Sequence, residues 1–358
     1  MEKKHENLMQ MYFEMQPQAL RQTAEQGGEA FARLKEAFGR LKPQKAVLLG
    51  IGSSFHSGRL AESGFRALSG LTVECATPET AMTRLPEMLD RAVVLAVSQS
   101  GTSTNTLGAL REIKRLGGAV FAVTQGLSSP IAKEADGVIP LFIPDEKAGP
   151  KTMGVIATAC ALLLAACAIR GDTDAWEALR QDMLSEADAM EANVSAARDW
   201  AVSLGDVLAK EESWMVVGQR AAFASAGESA LKLTETVRRT VAFYELEEAV
   251  HGPCASFLAR PALLCLHLPW EDAARPEALC GACEAKGGHA YRISLDEGAP
   301  VAEGMALTLR YGVRRLSHFE LLLPAQAISA FVPPRMGIDL DQHESDPFTR
   351  ILAGHLEP

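Results

Sequence analysis

The chain has 358 residues, a formal net charge of −10 and a pI near 5.4, with 47% apolar and 22% charged residues. This is the composition of a globular protein long enough for two domains of ordinary size. The acidic balance argues against a nucleic-acid or anionic-membrane binder. It leaves a small anionic ligand open, because backbone N–H groups and helix N-termini bind phosphate whatever the net charge.

The first residues, Met1 to Glu6, are polar with no apolar signal core behind them, so no leader is expected. Residues 7–40 have helical composition and an apolar period through Leu8, Met11, Phe13, Leu20, Phe31, Leu34 and Phe38. Pro17 and Gly27-Gly28 interrupt it, which predicts a broken helical arm over residues 1–40. From Lys45 short β-branched runs alternate with helical stretches. Strands are expected at Ala46–Leu49, Leu71–Cys75, Ala92–Val97, Ala119–Val123 and Gly137–Phe142, with helices near Ser57–Leu68, Leu107–Leu116 and Thr152–Ile169. The run Val155–Ile169 is shorter than the roughly 18 to 20 residues that cross a bilayer, and reads as a buried helix.

Asp172–Ala201 is polar and reads as a connecting helix, after which the alternation restarts. Strands are expected at Ser213–Val217, Ala262–Leu268, Ala290–Ser294 and Phe319–Leu323, and helices at Ala224–Arg238 and Pro276–Ala285. The fold class is therefore α/β, with right-handed βαβ units and parallel sheets flanked by helices. The expected organisation is an arm (1–40), a first domain (41–172), a connecting helix (173–205), a second domain (206–330) and a tail (331–358) that contains His343 and Arg350.

The seven cysteines are an odd number without regular spacing. Cys160, Cys167 and Cys265 lie in apolar runs, and Cys280 and Cys283 form a lone C-x-x-C with no second pair to complete a metal site. Structural thiols, no metal and a reducing, cytoplasmic setting are expected.

Two turns each follow a strand and open a helix: Gly50-Ile51-Gly52-Ser53-Ser54 and Ser98-Gln99-Ser100-Gly101-Thr102-Ser103. At the carboxyl ends of parallel strands such turns aim backbone N–H groups, hydroxyls and a helix N-terminus at one crevice, a set of donors that suits phosphate. Serine is also an ordinary helix cap; two such turns on two strands favour the anion site. Neither turn has the spacing of a nucleotide-binding G-x-x-x-x-G-K-[ST] loop or a dinucleotide G-x-G-x-x-G loop, so no ATP, NAD or other cofactor is expected.

These turns resemble the S-Q-S-G-x-[ST] and G-[TS]-S loops of the sugar-isomerase (SIS) family, and the likeness runs from about residue 10 to 340. The resemblance implies two tandem SIS domains, each a parallel flavodoxin-like sheet flanked by helices. It implies that Ser54, Ser98, Ser100 and Ser103 hold a sugar phosphate, that Gln99 contributes its backbone N–H, and that Gly52 and Ser53 line the pocket.

In the second half, Glu228, Lys232 and Glu235 stand at i, i+4 and i+7 on one helix face, and His251-Gly252-Pro253 follows sixteen residues after Glu235. Proton transfer between sugar carbons needs a carboxylate base and a second carrier that titrates near neutrality, for which histidine suits. Spacing alone leaves Glu228 and Lys232 open to being a surface ion pair. The run E-x-A-L-K-L-x-E followed by H-G-P resembles the isomerase half of glucosamine-6-phosphate synthase. That likeness implies Glu235 as enolisation base, His251 as ring-opening acid–base partner, and Glu228 and Lys232 as pocket residues.

The sequence departs from the synthase pattern in having no glutaminase segment ahead of the arm, no lysine in the tail and a different stretch at Gly149-Pro150-Lys151-Thr152. In these respects it resembles the fructosamine-6-phosphate deglycases, which implies hydrolysis of 6-phosphorylated Amadori compounds to glucose 6-phosphate and an amine, by a homodimer with the active site near the subunit interface. The alternatives are an aldose–ketose isomerase, an amino-sugar phosphate deaminase, or a non-catalytic sugar-phosphate sensor. No basic helix-turn-helix accompanies the chain, as a DNA-linked sensor would need.

Overall fold

The run Ala92-Val93-Val94-Leu95-Ala96-Val97 is too short for a stable helix and apolar on both faces, which suits the centre of a parallel sheet. A computed structural model, which describes residues 5–26 and 28–342, places it there. In chain order the elements are α1 (Leu8–Glu14), α2 (Gln16–Ala24), α3 (Gly28–Gly39), β1 (Lys45–Leu49), α4 (Ser53–Ser69), β2 (Thr72–Ala76), α5 (Pro78–Arg84), β3 (Ala92–Val97), α6 (Thr104–Arg115), β4 (Ala119–Thr124), α7 (Pro130–Glu134), β5 (Gly137–Pro140) and α8 (Met153–Arg170). There follow α9 (Thr173–Ser203), α10 (Gly205–Leu208), β6 (Ser213–Gly218), α11 (Arg220–Val237), β7 (Thr240–Glu245), α12 (Leu246–Val250), β8 (Ala262–Leu266), α13 (Ala274–Glu284), β9 (Ala290–Asp296), β10 (Val301–Glu303), β11 (Ala306–Arg310) and α14 (Leu323–Phe331).

The chain divides into two compact units. The first comprises Gln18–Glu146 and Met153–Leu184, the second residues 5–17, Lys147–Thr152 and Ser185–Asp341. The boundary falls inside α9, the helix expected as a connector.

In the first unit the strands are all parallel in the order β2-β1-β3-β4-β5, the flavodoxin-like order. β1 and β3 are adjacent, with Leu49 opposite Ala96. The chain reverses its direction of travel across the sheet between these two strands. One face packs under α5, α6 and α7 through Val47, Val94, Leu110, Ile113 and Ile131. On α8 the side chains are apolar all round, and 89% of them are buried. It packs against α3 and α4, so its hydrophobicity is that of a core helix.

In the second unit the parallel strands run β7-β6-β8-β9-β11, the same order, with β10 added antiparallel on β11. α11 packs on α14 and on a short 3-10 turn, Ser317–Leu322. Phe319–Leu323, expected as a strand, is this turn and the start of α14. Its apolar run is buried on all sides, which periodicity cannot tell from a buried strand, and Pro324 in the first turn of α14 starts a helix. Beneath it three buried polar side chains meet. Asn193 donates to Glu320 Oε2 at 2.7 Å, and Glu186 Oε2 accepts from the N–H groups of Gly312 and Val313 at 3.1 and 2.6 Å. Burial, then the neighbouring Glu186 carboxylate, pushes the Glu320 carboxyl far above the usual range, so it keeps its proton.

Candidate functional site

Both serine-bearing turns lie in the first unit, at the carboxyl ends of the adjacent strands β1 and β3, where open parallel sheets bind ligands. After β1, Gly50 packs against the first turn of α4: a Cβ there would sit 2.8 Å from the Ser54 carbonyl carbon. Gly52, with φ +59°, turns the chain into that helix, and Ser53 and Ser54 form its half-buried first turn. The Ser54 N–H donates to Ile51 O at 3.2 Å.

After β3, Ser98 is buried and Ser100 is exposed. The Ser100 and Thr102 hydroxyls lie 2.8 Å apart. Ser103 is the N-cap of α6. Its hydroxyl accepts from the Thr106 hydroxyl at 3.1 Å and from the Thr106 N–H at 3.5 Å, so the capping role that serine commonly plays is real here and leaves its proton to donate. Gly101 has φ +73°, and a Cβ on it would fall 2.0 Å from Ser129 Oγ, so the turn tolerates no side chain.

Gln99 is fixed at both ends. Its carbonyl accepts from Gln125 N at 2.9 Å and Thr124 Oγ1 at 3.0 Å, and its side-chain amide donates to Glu146 Oε2 at 3.1 Å. The same Glu146 oxygen accepts from the N–H of Gly154 in the first turn of α8 at 3.0 Å. Gly154 leaves room for this, since a Cβ there would overlap the Gln99 amide. The side chain is thus engaged inside the unit, and the backbone N–H is the group of Gln99 left to a ligand.

The helix face lies in the second unit. Glu228 and Lys232 are fully buried, so they are not a surface pair: Lys232 Nζ is 3.6 Å from Glu228 Oε1 and is also hydrogen-bonded to Glu235 Oε2. The Glu235 side chain, 37% exposed, is the member of the three that meets solvent. A buried ammonium thus orients an accessible carboxylate.

His251 caps the C-terminus of α12, exposed, and its Nδ1 donates to Glu247 O at 2.7 Å. That bond selects the tautomer with a proton on Nδ1 and leaves Nε2 to exchange one. The Arg275 guanidinium forms two 2.9 Å hydrogen bonds to Glu247 and holds its carboxyl below the usual range, which anchors α12 from outside. Two groupings therefore exist, the turns after β1 and β3 in one unit and the α11 triplet in the other, while His251 stands on a separate element from the triplet.

Glu146 and Thr124, which hold the Gln99 turn, escaped sequence reasoning. Glu146 lies in Pro144-Asp145-Glu146-Lys147, a polar stretch with no periodicity to single it out. Cys280 and Cys283 are buried free thiols on α13, and burial raises the Cys283 thiol to about 11. Among the described residues no cluster of three or more His, Cys, Asp or Glu side chains has the arrangement of a metal site. His343 and Arg350 lie outside the described residues.

Residues 41–168 match the family model described as the SIS domain. A glutamine–fructose-6-phosphate aminotransferase (isomerizing) of Aeropyrum pernix is 28% identical over 354 residues, covering 95% of this chain and 52% of its own. The chain spans about half the length of the curated relatives it matches. Among solved structures, the C-terminal domain of glucosamine-fructose-6-phosphate aminotransferase from Francisella tularensis superimposes with a TM-score of 0.82 at 18% identity, covering 96% of this chain and 99% of that one. Tagatose-6-phosphate ketose/aldose isomerase from Escherichia coli superimposes with a TM-score of 0.73 at 16% identity, covering 94% and 95%.

Proposed function

We propose that the chain, whose residues 41–168 match the SIS-domain model, is an enzyme that abstracts a proton next to the carbonyl of a phosphorylated sugar bearing nitrogen, releasing the amine from a fructosamine 6-phosphate. The observation that carries this reading is the α11 triplet. An accessible Glu235 carboxylate oriented by a buried Lys232, with Glu228 behind it, is what a fixed carbon base requires. The relative at 28% identity is named for forming a carbon–nitrogen bond on a hexose 6-phosphate, which favours nitrogen chemistry over plain aldose–ketose exchange.

In this reading Ser54, Ser98, Ser100 and Ser103, with the Gln99 N–H, take the phosphate, and Gly52 and Ser53 shape the approach. Glu235 removes a C1 proton from the ketoamine, and its electron pair forms the C1–C2 double bond of an enaminol. Reprotonation at C2 gives a C1 imine. Water adds to C1, the C1–N bond breaks, and the amine leaves with the proton, so one ketoamine and one water yield one glucose 6-phosphate and one amine. His251 moves the proton on the sugar oxygen. The test is a panel of phosphorylated sugars and phosphorylated Amadori compounds, read by glucose 6-phosphate release. Release from at least one ketoamine supports the proposal. Interconversion of fructose 6-phosphate with an aldose phosphate, and no release, would establish the isomerase instead.

A further inference from the structure

We propose that the second unit holds a separate pocket for a small polyanion, a molecule with a diphosphate or two phosphate groups. The pocket lies beside the segments that lead into the amino ends of β6 and β7, the opposite ends of those strands from the carboxyl edge where parallel sheets bind substrates. Its cavity volume is about 650 Å³, of the size that takes a small metabolite. Lys210, Arg238, Arg239 and Arg335 line it with a single carboxylate, Asp206. In a chain whose formal net charge is −10, four cations around one carboxylate run against the composition.

The four cations come from three separate segments. Lys210 precedes β6, Arg238 and Arg239 join α11 to β7, and Arg335 stands on the 3-10 turn Pro333–Met336. Cations just beyond a helix complement its dipole, and that would account for Arg238 and Arg239 alone. It does not account for Lys210 and Arg335 arriving at the same cavity. Arg335 is held in place: it donates to Asp206 Oδ1 at 2.7 Å and to Val202 O at 3.0 Å, and its guanidinium lies against Gly205, where a Cβ would come within 2.6 Å. Arg238 is held in the left-handed region at φ +52° as the C-cap of α11. Among the described residues, Lys210, Arg238 and Arg239 have no carboxylate within ion-pair distance, so their charge is available to a ligand. Met336 and Ile338 supply an apolar wall for its carbon part.

Three like charges converging on a concavity repel one another, and a ligand with two or three negative charges relieves that repulsion. A single phosphate would engage the cations only in part, which is why the diphosphate class fits. Because Arg238 caps the helix that carries Lys232 and Glu235, occupancy bears directly on that helix.

The test is calorimetric titration with inorganic pyrophosphate at an ionic strength of about 0.15 M, on the wild-type chain, Lys210→Ala/Arg239→Ala and Ser98→Ala/Ser100→Ala. The expected result is binding by wild type, weakening of roughly tenfold or more in the Lys210/Arg239 variant, and retention in the serine variant. Glucose 6-phosphate should show the reverse dependence, so failure of this proposal and failure of the phosphate-turn assignment are distinguishable. Both altered side chains are exposed; Lys210→Gln and Arg239→Gln as single changes repeat the test with less loss of side-chain bulk. Pyrophosphate affinity unchanged in the Lys210/Arg239 variant, or no wild-type binding up to several millimolar, overturns the proposal.

Discussion

Lys232 is hydrogen-bonded to Glu235 three residues further along α11, and the two differ sharply in environment: the ammonium is buried and the carboxylate is not. Their substitutions should therefore separate stability from turnover. Glu235→Gln keeps shape and a hydrogen-bond acceptor at an accessible position. Melting should change little, while turnover falls by roughly 10² to 10⁴. Near-wild-type turnover would remove Glu235 from the role of base.

Lys232→Met should behave in the opposite sense. It takes the cation away from the buried Glu228 carboxylate, and breaking a buried pair from one side costs about 3–5 kcal/mol. Denaturant unfolding should show a loss of this order in the transition of the second unit. A loss under about 1 kcal/mol, the scale of an exposed pair, would mean that the pair is not buried in solution.

Ser98→Ala with Ser100→Ala should weaken phosphosugar binding by about 10²-fold or more, since each hydrogen bond to a charged group is worth about 1.5–3 kcal/mol. Gly101→Ala should do so by another route. It forces a side chain into the left-handed region and onto Ser129, and should lower the melting temperature as well as the affinity. Calorimetry showing unchanged affinity in both variants would remove the turn from the phosphate site.

Glu320 gives the second unit a pH dependence of definite sign. Unfolded, its carboxyl titrates near ~4.3. Folded, burial and Glu186 keep the proton on to a much higher pH. The stability tied to that proton is complete below the unfolded value and is lost as pH rises toward the folded one, with a slope of at most about 1.4 kcal/mol per pH unit. Glu320→Gln keeps an acceptor for Asn193 and should flatten the slope, raising stability relative to wild type at alkaline pH. An unchanged slope in chemical unfolding as pH rises above the unfolded value would place the titration elsewhere.

The first sheet was readable because β1, β3 and β4 are buried apolar runs punctuated by turns. β7 was not: Val241-Ala242-Phe243-Tyr244 is a short apolar run, but it lies on an edge strand that is partly exposed along its whole length, follows Arg238-Arg239 and runs straight into α12 with no turn residue to bound it. β10, three residues long, carries little signal; β11 does alternate, with Leu307 and Leu309 buried and Thr308 and Arg310 less so, but over five residues only. For the candidate site, the turns and the i, i+4, i+7 spacing were visible as patterns. Spacing could not say whether Lys232 faces water or core, because that depends on α14 and the Ser317–Leu322 turn, remote in sequence, covering α11. Glu146 is the same case, a side chain whose importance comes from a partner 47 residues away.

β10 has one more consequence. Without it, β11 would end the second sheet as a straight parallel edge whose unpaired N–H and C=O groups could template another chain. Three exposed residues, run in the opposite direction and ending in Glu303, replace that edge with one too short and too charged to extend. The hairpin thus leaves a short strand at that edge of the sheet, while β7 forms the other edge.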